Sequence, residues 1–251
     1  MKSYQPDFIK PSVFDSDSIS AWFSKRGESV QDNFKIRGLN LGFNTEENEE
    51  IVKGNRNFLA NSISTPISEI AFANQVHGNE ILEVNEGGIY ENIDGFITQE
   101  KGLALAIQVA DCAAVLLGDS EAGIISAVHA GWRGAVADIV PKAVQKMVSL
   151  NAEPKNIKVF ISPCISQKQF EAGEEVAEKF PDEFVDRNSY SKPHIDIKRF
   201  IQSQLLNAGI FEEHIEVHGS CTFSDSDYYS YRRDGNRSGR MMGIIKLNEQ
   251  V

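Results

Sequence analysis

Positive charge is scarce in this sequence. Its 251 residues carry 25 Lys+Arg against 36 Asp+Glu, a net charge of −11. Sequence-independent binding to nucleic acid, or to an anionic membrane, needs many cations facing phosphates, so neither is expected as the main work of the chain. Long apolar runs are also missing. The most apolar stretch, 103–118 (LALAIQVADCAAVLLG), carries Gln108 and Asp111 and is shorter than the roughly 20 residues of a spanning helix. Cysteine is sparse: Cys112, Cys164 and Cys221 are odd in number and far apart, which does not make a disulfide framework. The opening MKSYQPDFIKPSVFDSDS has no apolar segment after its lysine and no small-residue cleavage site, so no secretory signal is expected. These features together suggest a cytoplasmic protein with free or metal-bound thiols. With 41% hydrophobic residues and only 8 Pro, collagen-like and disordered chains are excluded too.

What is present reads as alternating short strands and a few helices. The spacing predicts strands over 69–76, 80–84, 95–98, 103–109, 113–117, 123–129, 157–162, 215–218 and 241–247, parted by turn signals such as Gly87-Gly88 and Asp94-Gly95. Thr45 followed by Glu46, Glu47, Glu49 and Glu50 predicts a capped surface helix over 46–61, its acids on a solvated face. A second helical stripe holds Val140, Ala143, Val144, Met147 and Val148, with Pro141 in its first turn. Further helices are expected near 171–180 and over 196–208, the latter stopping at Gly209. Strands outnumber helices, so the expected fold is mixed α/β, a large sheet region covered by helices. No boundary divides 1–251, and a single domain is expected.

Three segments place a metal-ligand type beside turn residues at a strand end: Asn74-Gln75-Val76-His77-Gly78, Ala110-Asp111-Cys112, and Val128-His129-Ala130-Gly131-Trp132-Arg133-Gly134. Two imidazoles and a thiolate suit zinc, and three protein ligands leave a fourth position for water or substrate. Spacing alone leaves this open, because lone histidines are usually satisfied core or surface groups and free cysteine is often simply buried. Arg232, Arg233, Arg237 and Arg240 lie close together in an acidic chain, a guanidinium set suited to phosphate. Asp225, Asp227 and Asp234 beside them offer local ion pairs instead. Arg133 and Arg56 are further anion candidates. Asp111 could orient a ligand or act as acid/base, Trp132 could stack on a base, and Cys164 could line the site or act as a nucleophile.

The ordered set NQVHG, ADC, VHAGWRG, SPCI at 162–165 and YSYRRDGNRSGRMMGII at 229–245 resembles the bacterial laccase-domain family. That family was first described as multicopper polyphenol oxidases and is also called a peptidoglycan editing factor. It was later recognised as zinc-dependent purine nucleoside phosphorylases with adenosine deaminase activity. The resemblance runs from Gly38-Leu39-Asn40-Leu41-Gly42 to the last strand; the first 25 or so residues match loosely. It implies an α/β/β/α sandwich related to a toxin deamidase fold, and a catalytic zinc on His77, Cys112 and His129. By their places in matching motifs, Asn40 and Gln75 would bind sugar or base. The implied substrates are purine nucleosides (adenosine, inosine, methylthioadenosine) and phosphate.

Residue chemistry constrains the oxidase label. A type-1 copper plus a trinuclear cluster needs many histidines, and this chain has five: His77, His129, His194, His214 and His218. Incidental copper at a His-Cys-His group stays open, since copper outcompetes zinc on affinity. Two enzymatic readings follow. In the first, zinc acidifies water for deamination at a purine C6, and arginine-held phosphate serves phosphorolysis. In the second, Cys112 or Cys164 with a histidine forms an amidase editing a peptidoglycan precursor. A zinc-stabilised binding module is the non-enzymatic alternative.

Overall fold

A computed structural model describes residues 6–14, 17–30 and 32–249. The chain runs through β1 (Phe8–Ile9), β2 (Ile19–Ser24), α1 (Glu49–Ser62), β3 (Ile70–Asn74), β4 (Ile81–Glu83), β5 (Gly88–Glu91), β6 (Gly95–Thr98) and β7 (Ala104–Val109). It continues with β8 (Ala113–Asp119), β9 (Ile124–Ala130), α2 (Trp132–Val136), α3 (Ile139–Ser149), β10 (Lys158–Ile161), α4 (Glu174–Ala177), β11 (Val185–Asp186) and β12 (His194–Ile195). Last come α5 (Ile197–Asn207), β13 (Ile215–Val217), α6 (Tyr231–Asp234) and β14 (Met241–Leu247). Two mixed six-stranded sheets carry the architecture, ordered β1-β2-β14-β7-β3-β5 and β13-β10-β8-β9-β6-β4.

The sheets pack face to face. Phe23, Leu105, Ile107 and Ile245 of the first meet Phe96, Leu116, Ile125 and Phe160 of the second in one buried cluster. Gly243 permits the close approach: a Cβ there would lie 2.7 Å from the Ala114 side chain. The outer face of the second sheet (Val115, Leu117, Val128, Val159) is covered by α3 and α5 through Ile139, Ala143, Val144, Ile201 and Leu205. The outer face of the first (Ile70, Phe72, Ala106, Ile244) is covered by Leu59 and Ala60 of α1 with Leu39 and Leu41. Covering both faces explains why β7, β8 and β9 are buried at every position and mostly apolar rather than alternating. The result is the expected α/β/β/α sandwich. No helix among the described residues is long and apolar enough to cross a membrane.

Several local expectations are corrected. The first helix starts at Glu49 and is capped by Asn48, whose side chain accepts from the Glu50 N–H. Thr45 instead closes a turn, donating to the Gly42 carbonyl at 2.9 Å. Glu47 leaves the solvated face: its buried carboxylate accepts from the Lys35, Ile36 and Asn48 amides. Gly87-Gly88 is not only a turn, because Gly88 opens β5, a parallel edge strand beside β3. The helix expected near 171–180 shrinks to Glu174–Ala177, and Val148 lies on the exposed side of α3. Strands β1 and β2 carry no expectation from the sequence.

Candidate active site

The three ligand-bearing segments converge where the two sheets meet at one end. Ala110, Asp111 and Cys112 form the whole connection from β7 in the first sheet to β8 in the second. Asp111 turns this corner in the left-handed region, φ 81. His129 is the penultimate residue of β9, paired across to Ala114. His77 sits on the loop after β3, also left-handed at φ 60. Non-glycine residues rarely hold such angles unless the surroundings over-determine them.

Those surroundings are visible. At one end of the loop, the Gln75 side chain donates to the Gln108 carbonyl and accepts from the Gln108 amide, both at 2.9 Å. At the other, the Asp94 carboxylate accepts from the amides of Val76, His77 and Gly78. Asp94 also faces His129 Nδ1 at 2.8 Å. The loop is thereby tied to both sheets.

One ligand atom each from His77, Cys112 and His129 lie within 4.8 Å of one another, and the imidazoles stand edge to face at 4.9 Å. Below them Gly131 leaves a cradle: a Cβ would come to 2.9 Å from Cys112 Sγ and 3.5 Å from His129 Nε2. An alanine would fill the floor of the group. Enclosure alone raises the Cys112 thiol, but the charge and hydrogen bonds of His129 and His77 more than reverse this and bring it down to about 6. Burial lowers His129, yet the Cys112 thiolate and Asp94 hold it above its ordinary value. A ready thiolate beside two imidazoles is a donor set that fits a borderline divalent metal. His194, His214 and His218 lie elsewhere: His194 Nδ1 meets the Gln167 carbonyl, His214 packs on Phe211 and His218 on Phe160.

The group opens into a cavity of about 440 Å³, within the range of small-molecule sites. Trp132, Ile165, Phe170 and Ile197 give it an apolar wall; Asn44, Gln75, Gln108, Asp111, Tyr231, Arg232 and Arg240 supply the polar positions. Arg232 and Arg240 have no carboxylate within ion-pair distance among the described residues. Arg232 donates to the Glu171 carbonyl, and Arg240 to the Ser238 and Gly239 carbonyls. Burial lowers the Arg240 guanidinium, against the opposing charges of Cys112, Tyr231 and Asp111.

Other expected site residues fall differently. Asp111 lines the cavity with both carboxylate oxygens engaged, accepting from Thr222 Oγ1 and from the Arg232 amide, each at 2.6 Å. Asn40 is buried beneath, accepting from the Gly42 and Arg240 amides. Arg56 does not reach the cavity; it is sandwiched between the Phe43 and Phe72 rings and donates to the Leu41 carbonyl. Burial lowers its pKa to about 10. Arg233 pairs with Asp234 and donates to the Thr222, Phe223 and Tyr228 carbonyls, holding its own loop. Arg133 is exposed, laid over the Trp132 ring outside the cavity. Cys164 is fully buried and absent from the cavity wall, and burial pushes its thiol up to about 12. Sequence reasoning overlooked Asp94, whose Asp-Gly pair reads as a turn, and did not separate Arg240 from its neighbours.

Comparison with known proteins follows the same outline. A Deinococcus radiodurans protein named purine nucleoside phosphorylase is 36% identical over 214 residues, 84% of this chain and 82% of that protein. One of that name from Corynebacterium glutamicum is 35% identical over 221 residues, 85% of this chain and 88% of that protein. The crystal structure of YlmD from Geobacillus stearothermophilus superposes with a TM-score of 0.89 at 26% identity, covering 99% of this chain and 98% of that one. Residues 20–248 match the family described as multi-copper polyphenol oxidoreductase laccase, and the chain belongs to that family.

Proposed function

We propose that the cavity binds a purine nucleoside and phosphate and cleaves the glycosidic bond by phosphorolysis, giving free base and ribose 1-phosphate. The observation that carries this reading is the pairing, in one cavity, of the His77-Cys112-His129 group with two guanidiniums that have no carboxylate within ion-pair distance among the described residues. Relatives named purine nucleoside phosphorylase supply the substrate class. Adenosine, inosine and methylthioadenosine are the nucleosides we propose, and the three free thiols agree with a cytoplasmic setting.

Each residue's part follows from its chemistry. Arg232 and Arg240 hold the phosphate oxygens. The Trp132 and Phe170 rings take the purine face. As an oxygen of hydrogenphosphate bonds to C1′, the C1′–N9 bond breaks, its electron pair passes to the base, and the base takes up the proton that the phosphate gives up. Asp111, with both oxygens occupied, holds the Arg232 backbone in place. His77, Cys112 and His129 would hold the metal, which we propose is zinc. When bound, zinc supplies a Lewis acid and water acidified to near neutrality, the chemistry needed for a secondary adenosine deaminase activity. Adenosine and phosphate, given to metal-loaded protein, should yield adenine and ribose 1-phosphate with a minor inosine or hypoxanthine fraction by chromatography. No new base or nucleoside would remove this reading.

One observation favours a second reading. Asp94, His129 and Cys112 stand in the order of a thiol-hydrolase triad, which would serve an amidase. The second imidazole, His77, argues for a metal, because a triad uses one. The two separate cleanly: a chelator stops the metal enzyme and leaves a thiol hydrolase active.

A further inference from the structure

We propose that Asp94 is a positioning residue that sets both imidazoles of the ligand group, His129 through its ring and His77 through its backbone. This rests on the metal reading of the site.

Asp94 is completely buried immediately before β6 and is not part of the cavity wall. Its carboxylate has four partners on two ligand-bearing segments. Oδ1 faces His129 Nδ1 at 2.8 Å and accepts from the His77 amide at 3.0 Å; Oδ2 accepts from the Gly78 and Val76 amides at 2.7 and 3.2 Å. Its own carbonyl accepts from the His129 amide at 2.7 Å. An ionised carboxylate can only accept, so it fixes the proton on His129 Nδ1. The lone pair then lies on Nε2, the nitrogen that shares the Gly131 cradle with Cys112 Sγ.

The action on His77 is of a different kind. Holding that residue left-handed is unfavourable for a non-glycine side chain, and three successive amides converging on one carboxylate are what keep it there. Gln75 restrains the same loop from the side of the first sheet, through Gln108 and with no hydrogen bond to His129 among the described residues. A carboxylate that merely stabilised the fold would leave the ligand atoms where they are when it is changed. One that positions them would not.

The test is zinc affinity, read by competition with a chromophoric chelator, together with the visible spectrum of the cobalt-substituted protein. Asp94→Asn keeps the shape but turns one amide N–H₂ against either His129 Nδ1 or the loop amides. We expect it, and Asp94→Ser, to fold and to bind zinc roughly 10–100-fold more weakly, with an altered cobalt spectrum. Gln75→Ala should lose less than about fivefold, on the same reasoning. Wild-type protein without stoichiometric zinc would remove the metal reading itself. Tight wild-type binding, with folded Asp94→Asn matching it in affinity and spectrum, overturns the proposal alone. Failure of both Asp94 variants to fold also overturns it, since a positioning role predicts folded, metal-poor protein.

Discussion

Replacing Arg240 with methionine tests the anion side of the cavity most directly. The side chain makes three hydrogen bonds, to the Ser238, Gly239 and Asn44 carbonyls. A guanidinium has five N–H donors, so two remain unclaimed among the described residues. A hydrogen bond to a charged partner is worth about 1.5–3 kcal/mol. Losing two to phosphate would cost about 3–6 kcal/mol, less whatever Arg232 recovers from the other contact. A floor of about 2 kcal/mol corresponds to roughly 30-fold in kcat/KM for phosphate. The assay is steady-state phosphorolysis with phosphate varied at saturating nucleoside. Arg240→Lys keeps the charge without the fork and should fall between wild type and Arg240→Met. Arg56→Met is the internal control: its guanidinium lies between two rings away from the cavity, so its KM for phosphate should stay within a factor of three. An Arg240→Met enzyme with unchanged kcat/KM for phosphate, or Arg56→Met showing the larger loss, would refute the assignment.

Three further outcomes are expected. Cys112→Ala, His77→Ala and His129→Ala should each lose stoichiometric zinc and turnover while remaining folded, whereas Cys164→Ala keeps its metal and stays within about tenfold in rate; a dead, zinc-replete Cys164→Ala would transfer the chemistry to that thiol. In metal-free native protein at pH 8, Cys164 should resist a disulfide reagent, since a thiol pushed up to about 12 is thiolate only to about one part in ten thousand; rapid labelling of all three thiols before denaturation would contradict its burial. Gly243→Val should destabilise by roughly 1–3 kcal/mol through overpacking against Ala114, seen as a lower denaturant midpoint, and an unmoved midpoint would mean the sheets do not meet there.

Legibility followed the strength of the local signal. Strands β7, β8, β9 and β14 are short apolar runs closed by turns, and they could be read directly. Spacing left His77, Cys112 and His129 open, and only the resemblance carried by the ordered set of motifs singled them out; the structure brings the three together. Strand β5 hid behind Gly87-Gly88 because an edge strand needs only a backbone ladder, and its pairing to β3 is non-local. Asp94 hid for the opposite reason: an Asp-Gly pair has a sufficient local explanation, and the four groups that use its carboxylate come from other segments. The arginines show the limit clearly. Arg133, Arg232, Arg233 and Arg240 are chemically alike, and only packing turned Arg233 inward onto carbonyls, laid Arg133 over Trp132 outside, and left Arg232 and Arg240 at the cavity.

The three-residue crossing between the sheets, with Cys112 at its end, bears on when a metal held by this group would bind. His77 and Cys112 are 35 residues apart and Cys112 and His129 another 17, and their side chains converge only after both sheets have formed and stacked. An ion therefore has no half-built chelate to nucleate upon, in contrast to a small zinc finger, where binding and folding are one event. The apo-protein should accumulate as a finished, native-like species waiting for its ion. Which metal such a group took up would then be decided by the supply around a completed receptor, and by Irving–Williams competition, rather than during synthesis.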